Sequence, residues 1–535
     1  KYAYGTAGFR DNASVLPSVW HCHLHSQVTL RMGILAALRA RVLHASLCTP
    51  FNFAEGEHAT MGVMVTASHN PEKDNGVKLI DPHGGMLSMD WEVSMCQILD
   101  TLRAICDGLE CNDQSLDWDI EPVVLVGYDT RASSVELASL VERGVRALGG
   151  RAVNCGLLAT PQLHWLVHEY NFHGAEKANI PAYYSLLCRA FRDCISDEEK
   201  SVSLEPLILD CSNGMRLTCP ISRRRSSLQG LLSIELRNTA NKDLNESVGA
   251  DHVKVSRSLP RGVDGVKDRM RKVASIDGDA DRLVYYYVNA KGEFRLLDGD
   301  KITALAAGYI LDLIKDAGMS LSVGVVQTAY ANGASTIYLE KKLGKAVECQ
   351  PTGVKYVHAK AEEFDVGIYF EANGHGTVLF SPQALQTIRR AKQNSSGASA
   401  ANRAITRLEA LTRLINQTIG DAVSDMLLVE AILADKHMTL PDWDAYYEDL
   451  PSRLMKVAVK DRSGVVTTDA ERRCIAPPGL QNAIDELCNA KPLRRSFVRP
   501  SGTEDVVRIY AESATSEDAK WLGDRVEEAV RKFCS

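Results

Sequence analysis

The sequence predicts an α/β protein of several domains, built from mainly parallel sheets layered with helices and closed by a smaller α+β unit. Three observations carry that prediction. The chain has 535 residues, too many for one core, and at ~150 residues per domain it divides into three or four. Short apolar runs alternate with amphipathic stretches of helical period, the pattern of parallel α/β layers. Each apolar run ends in a polar loop, and sheets of this kind collect ligands at the carboxyl ends of their strands.

In chain order, "GVMVTASHN" is a strand entering a loop. "PVVLVGYDTRASSVELASLVERGVRALGG" reads as strand, turn and amphipathic helix, ended by Gly149-Gly150. "PLILDCSNG" and "KVASIDGDADR" are two more strands with polar ends. "SVGVVQTAYANGASTIYLEKKLG" and "FDVGIYFEANGHG" repeat the pattern. Residues 381–405 are polar and Ser/Ala-rich and read as a surface excursion. From "LMKVAVKD" onward, with "RSFVRPSGTEDVVRIYAES" and the helix "SEDAKWLGDRVEEAVRKF", the pattern is that of a small α+β domain.

A hydrophobic share of 45% with 24% charged residues is that of an ordinary soluble protein. The net charge of -7 argues against a nucleic-acid partner and leaves phosphate to local basic clusters. No apolar run reaches the ~18 residues of a membrane span, so no membrane association is expected. The first residue is Lys, which leaves a preceding targeting segment open. The 14 cysteines form no Cys-x-x-Cys pair, the usage of free thiols in a reducing, cytoplasmic compartment. "HCHLH" would set His21, His23 and His25 on one face of a strand. No fourth ligand accompanies them, so the stretch reads as a solvated loop rather than a zinc site.

Four stretches could do chemistry. Ser68 stands where "MVTASHNPEKDNGVKLIDP" leaves its strand. It lacks the Gly-x-Ser-x-Gly elbow of many hydrolases, and His69 is not obviously placed as its base. A serine that carries phosphate needs instead a cation and donors around it. In "IDGDADRL", Asp277, Asp279 and Asp281 alternate, so in an extended loop their carboxylates converge on one side. Three hard oxygens suit Mg²⁺; a calcium EF-hand fails, with Arg282 and Val288 where Gly and Glu are required. The bland reading is an acidic turn, but like charges this close are costly without a cation. In "RPSGTEDVVRIYAE", Arg499, Ser501, Thr503 and Arg508 surround Gly502, a phosphate clamp or else a hairpin loop with incidental arginines. In "FEANGHGT", Glu371 and Asn373 could hold vicinal sugar hydroxyls with Gly374 allowing close approach; Asn-Gly is equally a hairpin signal. In "PTGVKY" (Thr352, Gly353, Lys355), Lys355 either meets a phosphate or is solvated. "YDTRASS" reads as a helix cap through Asp129 or Thr130, with Arg131 a minor candidate for charge support near Ser68.

Together these motifs resemble the α-D-phosphohexomutase superfamily, and within it the phosphoacetylglucosamine mutase branch, almost end to end. "KYAYGTAGFR" is similar to the branch's amino-terminal segment, "TASHNPEKDNGVKL" to its active-serine loop and "DGDADR" to its metal loop. "EANGHG" is similar to its sugar loop and "RPSGTEDVVRIYAE" to its phosphate loop. The resemblance implies three related α/β domains and a smaller α+β domain around a central cleft. The expected limits are 1–198 with the serine loop, 199–318 with the metal loop, 319–445 with the sugar loop and 446–535 with the phosphate loop. It also implies Ser68 as a phosphoserine whose phosphate joins Asp277, Asp279 and Asp281 on Mg²⁺. Arg10 and Arg282 would support the transferring phosphoryl. Lys78 would be the general acid/base, its pKa lowered by neighbouring positive charge, with His69 a second choice. The implied reaction interconverts N-acetylglucosamine 6-phosphate and 1-phosphate, with hexose 1,6-bisphosphate as activator. Residues 12–30 and 215–229 depart from the pattern, the first as an apparent insertion and the second as a basic run in place of a helix. The alternatives are a glucose or mannose phosphomutase, a serine-dependent sugar phosphatase and a catalytically silent binding protein.

Overall fold

A computed structural model describes residues 19–45, 59–88, 91, 119–195, 205–214, 228, 231–240, 243–397, 399–501 and 505–534. The first sheet holds β1 (Thr60–Val65), β2 (Val77–Ile80), β3 (Val123–Tyr128) and β4 (Arg151–Leu157), in the order β2-β1-β3-β4. The second holds β5 (Leu207–Asp210), β6 (Ile234–Arg237), β7 (Lys272–Ile276), β8 (Leu283–Val288) and β9 (Phe294–Leu297), in the order β6-β5-β7-β8-β9. The third holds β10 (Val323–Thr328), β11 (Glu348–Gln350), β12 (Val366–Phe370) and β13 (Gly376–Phe380), in the order β11-β10-β12-β13. At the carboxyl end, β14 (Ser452–Ala458) is followed by the hairpin β15 (Val466–Thr468) and β16 (Arg473–Ala476). β17 (Arg495–Pro500) and β18 (Val506–Glu512) then complete an antiparallel sheet in the order β14-β18-β17.

The expectation of mainly parallel sheets holds for the first three, in which six strand pairings are parallel and four antiparallel. Each of the first three sheets has a parallel part, but β1, β7 and β12 each turn back through a loop into an antiparallel neighbour. Those three returns are the serine loop, the aspartate loop and the sugar loop. A buried strand with an abrupt polar return is therefore repeated three times, and three of the stretches singled out in the sequence lie on those returns. β1, β7 and β12 are buried along their whole length, which is why they read as unbroken apolar runs rather than as alternating ones.

Helices fix the sheets. Helix Val19–Ala45 lies against helix Ser134–Ala147 so closely that a Cβ on Gly33 would stand 2.1 Å from the Val141 carbonyl oxygen. Helices Gly299–Asp316, Ala400–Leu414 and Ala422–Asp435 share one large core with the second and third sheets. Residues 381–405, expected as a surface excursion, form helix Pro382–Asn394 and the start of helix Ala400–Leu414. The polar composition reflects their outer faces; Ile388, Ala404, Ile405 and Leu408 point inward. "HCHLH" is likewise helical rather than a loop or strand, so positions 21, 23 and 25 do not share one face. The helix runs through residues 19–30 of the expected insertion; residues 12–18, and 215–229 apart from Leu228, lie outside the described residues. Among the described residues no helix is long and apolar enough to cross a membrane.

Candidate active site

Ser68 is buried and takes a left-handed backbone conformation, φ 48°. For an L-residue that costs ~1–2 kcal/mol. The surroundings offset it. The Ser68 N–H donates to Thr66 Oγ1 at 3.1 Å, and its carbonyl accepts from Arg131 Nη2 at 3.1 Å and Asn245 Nδ2 at 2.8 Å. Both donors also bind the Asn70 carbonyl. The loop is thus gripped from the first and second sheets, and the hydroxyl is aimed: Ser68 Oγ donates to Asp279 Oδ2 at 3.0 Å. Arg131 lies closer to the centre than its sequence context suggested, since Asp129 holds its guanidinium and its backbone N–H. The cap reading for Asp129 or Thr130 fails; the helix begins at Ser134 with Ser133 as its N-cap.

The aspartates converge by a tight turn, not by extension. Asp277 Oδ1 accepts the backbone N–H groups of Asp281 at 3.0 Å and Arg282 at 3.1 Å, with Ala280 left-handed at φ 58°. One oxygen from each of Asp277, Asp279 and Asp281 lies within 4.8 Å of the others, all three residues buried. Asp277 Oδ2, Asp279 Oδ1 and Asp281 Oδ1 are buried with no hydrogen-bond partner. Converging unpaired carboxylate oxygens suit a hard divalent ion such as Mg²⁺.

Lys78 Nζ donates to Asp279 Oδ2 and Asp281 Oδ2, both at 2.9 Å, and Thr160 Oγ1 donates to Asp279 Oδ2 at 2.6 Å. Burial pushes the Asp277 carboxyl well up, aided by its two acidic neighbours. Burial raises Asp279 and Asp281 too, and the Asp281 charge adds to it at Asp279, but Lys78 together with Thr160 at Asp279, and with His375 and Arg282 at Asp281, outweighs that, so both lie below the usual carboxylate range. Lys78 is the reverse of what was expected. Burial pulls it down, yet Asp279 and Asp281 outweigh this and hold it protonated. His69 is pushed down to about 4, first by the Arg282 cation and then by burial, so its imidazole is neutral at physiological pH. Arg282 itself is nearly buried, with Nη1 3.4 Å from Asp251 Oδ1.

The sugar loop is a hairpin turn, one of the two readings of Asn-Gly, and it borders the aspartates. Gly374 sits at φ 89°, and a Cβ there would stand 2.1 Å from the Leu283 carbonyl oxygen. Glu371 is buried; Asn373 Oδ1 accepts the His375 N–H at 2.9 Å and shapes the turn. His375 Nδ1 meets the Asp281 carbonyl at 2.8 Å.

Arg499 and Arg508 stand directly opposite on β17 and β18, and Lys456 on β14 stands opposite Arg508. A row of three cations on one face is repulsive unless an anion joins it. Arg499 Nε donates to the Tyr330 hydroxyl at 3.1 Å, and Ser501 is buried. Lys355 Nζ reaches the Leu87 carbonyl at 2.5 Å, and Gly353 precedes helix Val354–Ala361 at φ 136°. Arg10, Gly502 and Thr503 lie outside the described residues. Sequence reasoning missed Thr160, Asn245 and His375. His375 lay inside a motif already singled out; Thr160 and Asn245 carry no local signal, because only folding brings Thr160 to Asp279 and Asn245 to the serine loop.

Comparisons with known proteins agree along the chain. Residues 298–438 match phosphoacetylglucosamine mutase AMG1, domain III. Residues 33–105 and 110–176 match the phosphoglucomutase/phosphomannomutase alpha/beta/alpha domain I, and residues 489–529 match the C-terminal domain of the same group. A phosphoacetylglucosamine mutase of Homo sapiens is 45% identical over 98% of this chain and 93% of its own length. The crystal structure of Aspergillus fumigatus N-acetylphosphoglucosamine mutase in complex with GlcNAc-6P and magnesium is 40% identical and superposes with a TM-score of 0.83, covering 96% of this chain and 94% of that one. A variant of the same enzyme in complex with glucose 1,6-bisphosphate is 40% identical, with a TM-score of 0.82 over 95% of this chain and 93% of that one.

Proposed function

The chain belongs to the phosphoacetylglucosamine mutase family, and from that premise we propose that it interconverts N-acetylglucosamine 6-phosphate and 1-phosphate with Ser68 as the phosphoryl carrier. One observation supports this most: a strained, buried serine hydroxyl bonded to an aspartate whose neighbours present unpaired oxygens. Asp277, Asp279 and Asp281, with an oxygen on Ser68, would hold Mg²⁺. Bound there, the ion supplies positive charge to the phosphoryl oxygens.

In the forward direction the Oγ–P bond of phospho-Ser68 breaks and a bond forms from phosphorus to the sugar 1-hydroxyl oxygen. The hydroxyl proton passes to a base. A divalent ion held by these carboxylates would weaken the pull of Asp279 and Asp281 that keeps Lys78 protonated, and Lys78 would then be the first candidate to exchange that proton. His69, already neutral, is the second candidate. Arg282 and Arg10 would counter charge on the phosphoryl group. The resulting 1,6-bisphosphate reorients in the cleft and returns its other phosphate to Ser68. Glu371 and Asn373, with Gly374 at their turn, would meet the sugar. Thr352, Gly353 and Lys355 would lie along the cleft. Arg499, Ser501, Gly502, Thr503 and Arg508 would hold whichever phosphate is not reacting.

The domain limits at 198, 318 and 445 belong to this reading, supported by four main sheets of which none crosses a limit. So does a cytoplasmic location, for a chain whose described cysteines are free thiols. The product would feed synthesis of UDP-N-acetylglucosamine. Phosphorus NMR tests the reading. With Mg²⁺, N-acetylglucosamine 6-phosphate and catalytic glucose 1,6-bisphosphate, a 1-phosphate signal should grow. Inorganic phosphate in its place would make the chain a phosphatase.

A further inference from the structure

The Arg499 guanidinium is engaged by a carboxylate from a different part of the fold. Glu471 lies in the turn between β15 and β16, and its Oε1 accepts from Arg499 Nη1 at 2.9 Å. Its Oε2 accepts the Thr352 backbone N–H at 3.0 Å and the Thr352 hydroxyl as well. A guanidinium, a backbone amide and a hydroxyl are the donors that a phosphate oxygen recruits. The pair is sheltered, with the Arg499 and Glu471 side chains 14% and 18% exposed. Reaching it costs the backbone: Asp469, Ala470 and Glu471 are all left-handed, at φ 51°, 52° and 69°. Three consecutive L-residues in that region are unfavourable, and the contacts of Glu471 are what the turn gains in return.

We infer that Glu471 is an internal stand-in for the substrate's distal phosphate, occupying Arg499 and Thr352 in the empty cleft and leaving when a phosphosugar binds. The inference rests on Arg499 being the phosphate clamp. Its physical consequence is a competition. The affinity of any phosphorylated ligand is reduced by the fraction of clamps that Glu471 occupies. In return, a departing phosphate never leaves a nearly buried guanidinium unpaired, which would be costly. The device suits a reaction whose bisphosphate intermediate must let go of the clamp once per cycle. Glu471 thereby sets both the KM and the ease of release.

The test compares wild type, Glu471→Gln, Glu471→Asp, Arg499→Ala and the double variant Glu471→Gln/Arg499→Ala as full-length, Mg²⁺-loaded enzyme. It reads KM for N-acetylglucosamine 6-phosphate and the inhibition constant of inorganic phosphate. Glu471→Gln should lower both by at least about threefold, in parallel. Glu471→Asp, which retracts the carboxylate by one methylene, should lower both by less. The double variant should match Arg499→Ala, because the competition needs the arginine. A KM and phosphate constant that stay level or rise in Glu471→Gln would overturn the inference and make Glu471 a fixed tie. A normal KM in Arg499→Ala would instead remove the clamp reading, and this inference with it.

Discussion

The aspartate cluster around Ser68 and the cationic face of the carboxyl-terminal sheet are opposites. At Ser68 three carboxylates crowd into a buried space and a lysine from β2 is drawn onto two of them. On the carboxyl-terminal sheet Lys456, Arg508 and Arg499 stand in register and a glutamate from a neighbouring hairpin is drawn onto one of them. Each region carries an excess of one sign, and each is partly neutralised by a counter-charge supplied by the chain itself. The difference lies in depth and rigidity. The acidic cluster is buried and gripped by backbone hydrogen bonds, so it holds reacting atoms in place. The basic face is partly open, with Arg508 exposed, as the proposed exchange of a phosphate would require. A mutase that turns its intermediate over needs one site of each kind.

Breaking the acidic side should have the larger effects. Ser68→Ala should lower turnover by at least about 10⁴-fold while circular dichroism stays that of the native fold; near-normal activity would remove the phosphoserine mechanism. Chelation should abolish activity and Mg²⁺ restore it. The ion should also stabilise the fold, by about 2.7 kcal/mol at a concentration 100 times its dissociation constant. Denaturation curves with and without Mg²⁺, in wild type and in Asp277→Asn, would show it, and equal curves would speak against the site.

On the basic side, Arg499→Ala removes charge-assisted bonds of about 1.5–3 kcal/mol and should impair both reaction directions alike. Loss in one direction only would be inconsistent with a clamp shared by both orientations. The sugar loop should discriminate less sharply. N-acetylglucosamine phosphate should exceed glucose phosphate in kcat/KM by at least about tenfold, or ~1.4 kcal/mol. Parity would make the chain a general hexose phosphate mutase.

Acid should separate the two regions with the smallest signal. On the Ser68 side His164 is pushed down to about 3, chiefly by burial, and His69 to about 4. Both bind protons more readily in the unfolded chain, near the ordinary value of 6.5, so stability there should fall as pH drops below 6.5. At the carboxyl end, hydrogen bonds from Arg494, Ser513 and Lys491 hold Asp518 below its ordinary 3.8. Its contribution is present above that value and is lost only at lower pH. Between pH 6.5 and 4, hydrogen-exchange protection factors corrected for the intrinsic rate should therefore fall first around His164, and a uniform fall would contradict the separation.

Much of the chemistry was legible because its residues are contiguous. Ser68 and the three aspartates each sit on one short return from a buried strand, and apolar runs announce such strands. The helix at 382–394 and the first turns, through "HCHLH", of the helix Val19–Ala45 were not legible as helical. A polar outer face hides the period in the first, and residues with weak helical preference hide it in the second.

Which side chains were available was legible in the chain: a serine and three alternating carboxylates on loops at strand ends, and two arginines on the strands either side of a Gly-containing loop. Tertiary structure alone decided their states. Lys78 lies 201 residues from Asp279, and their contact turns an expected low pKa into a high one. Asn245 lies 177 residues from the Ser68 carbonyl it holds, and Glu471 lies 119 residues from Thr352. Ionisation and backbone strain depend on what stands within a few ångströms, and in this chain those neighbours are brought from other sheets.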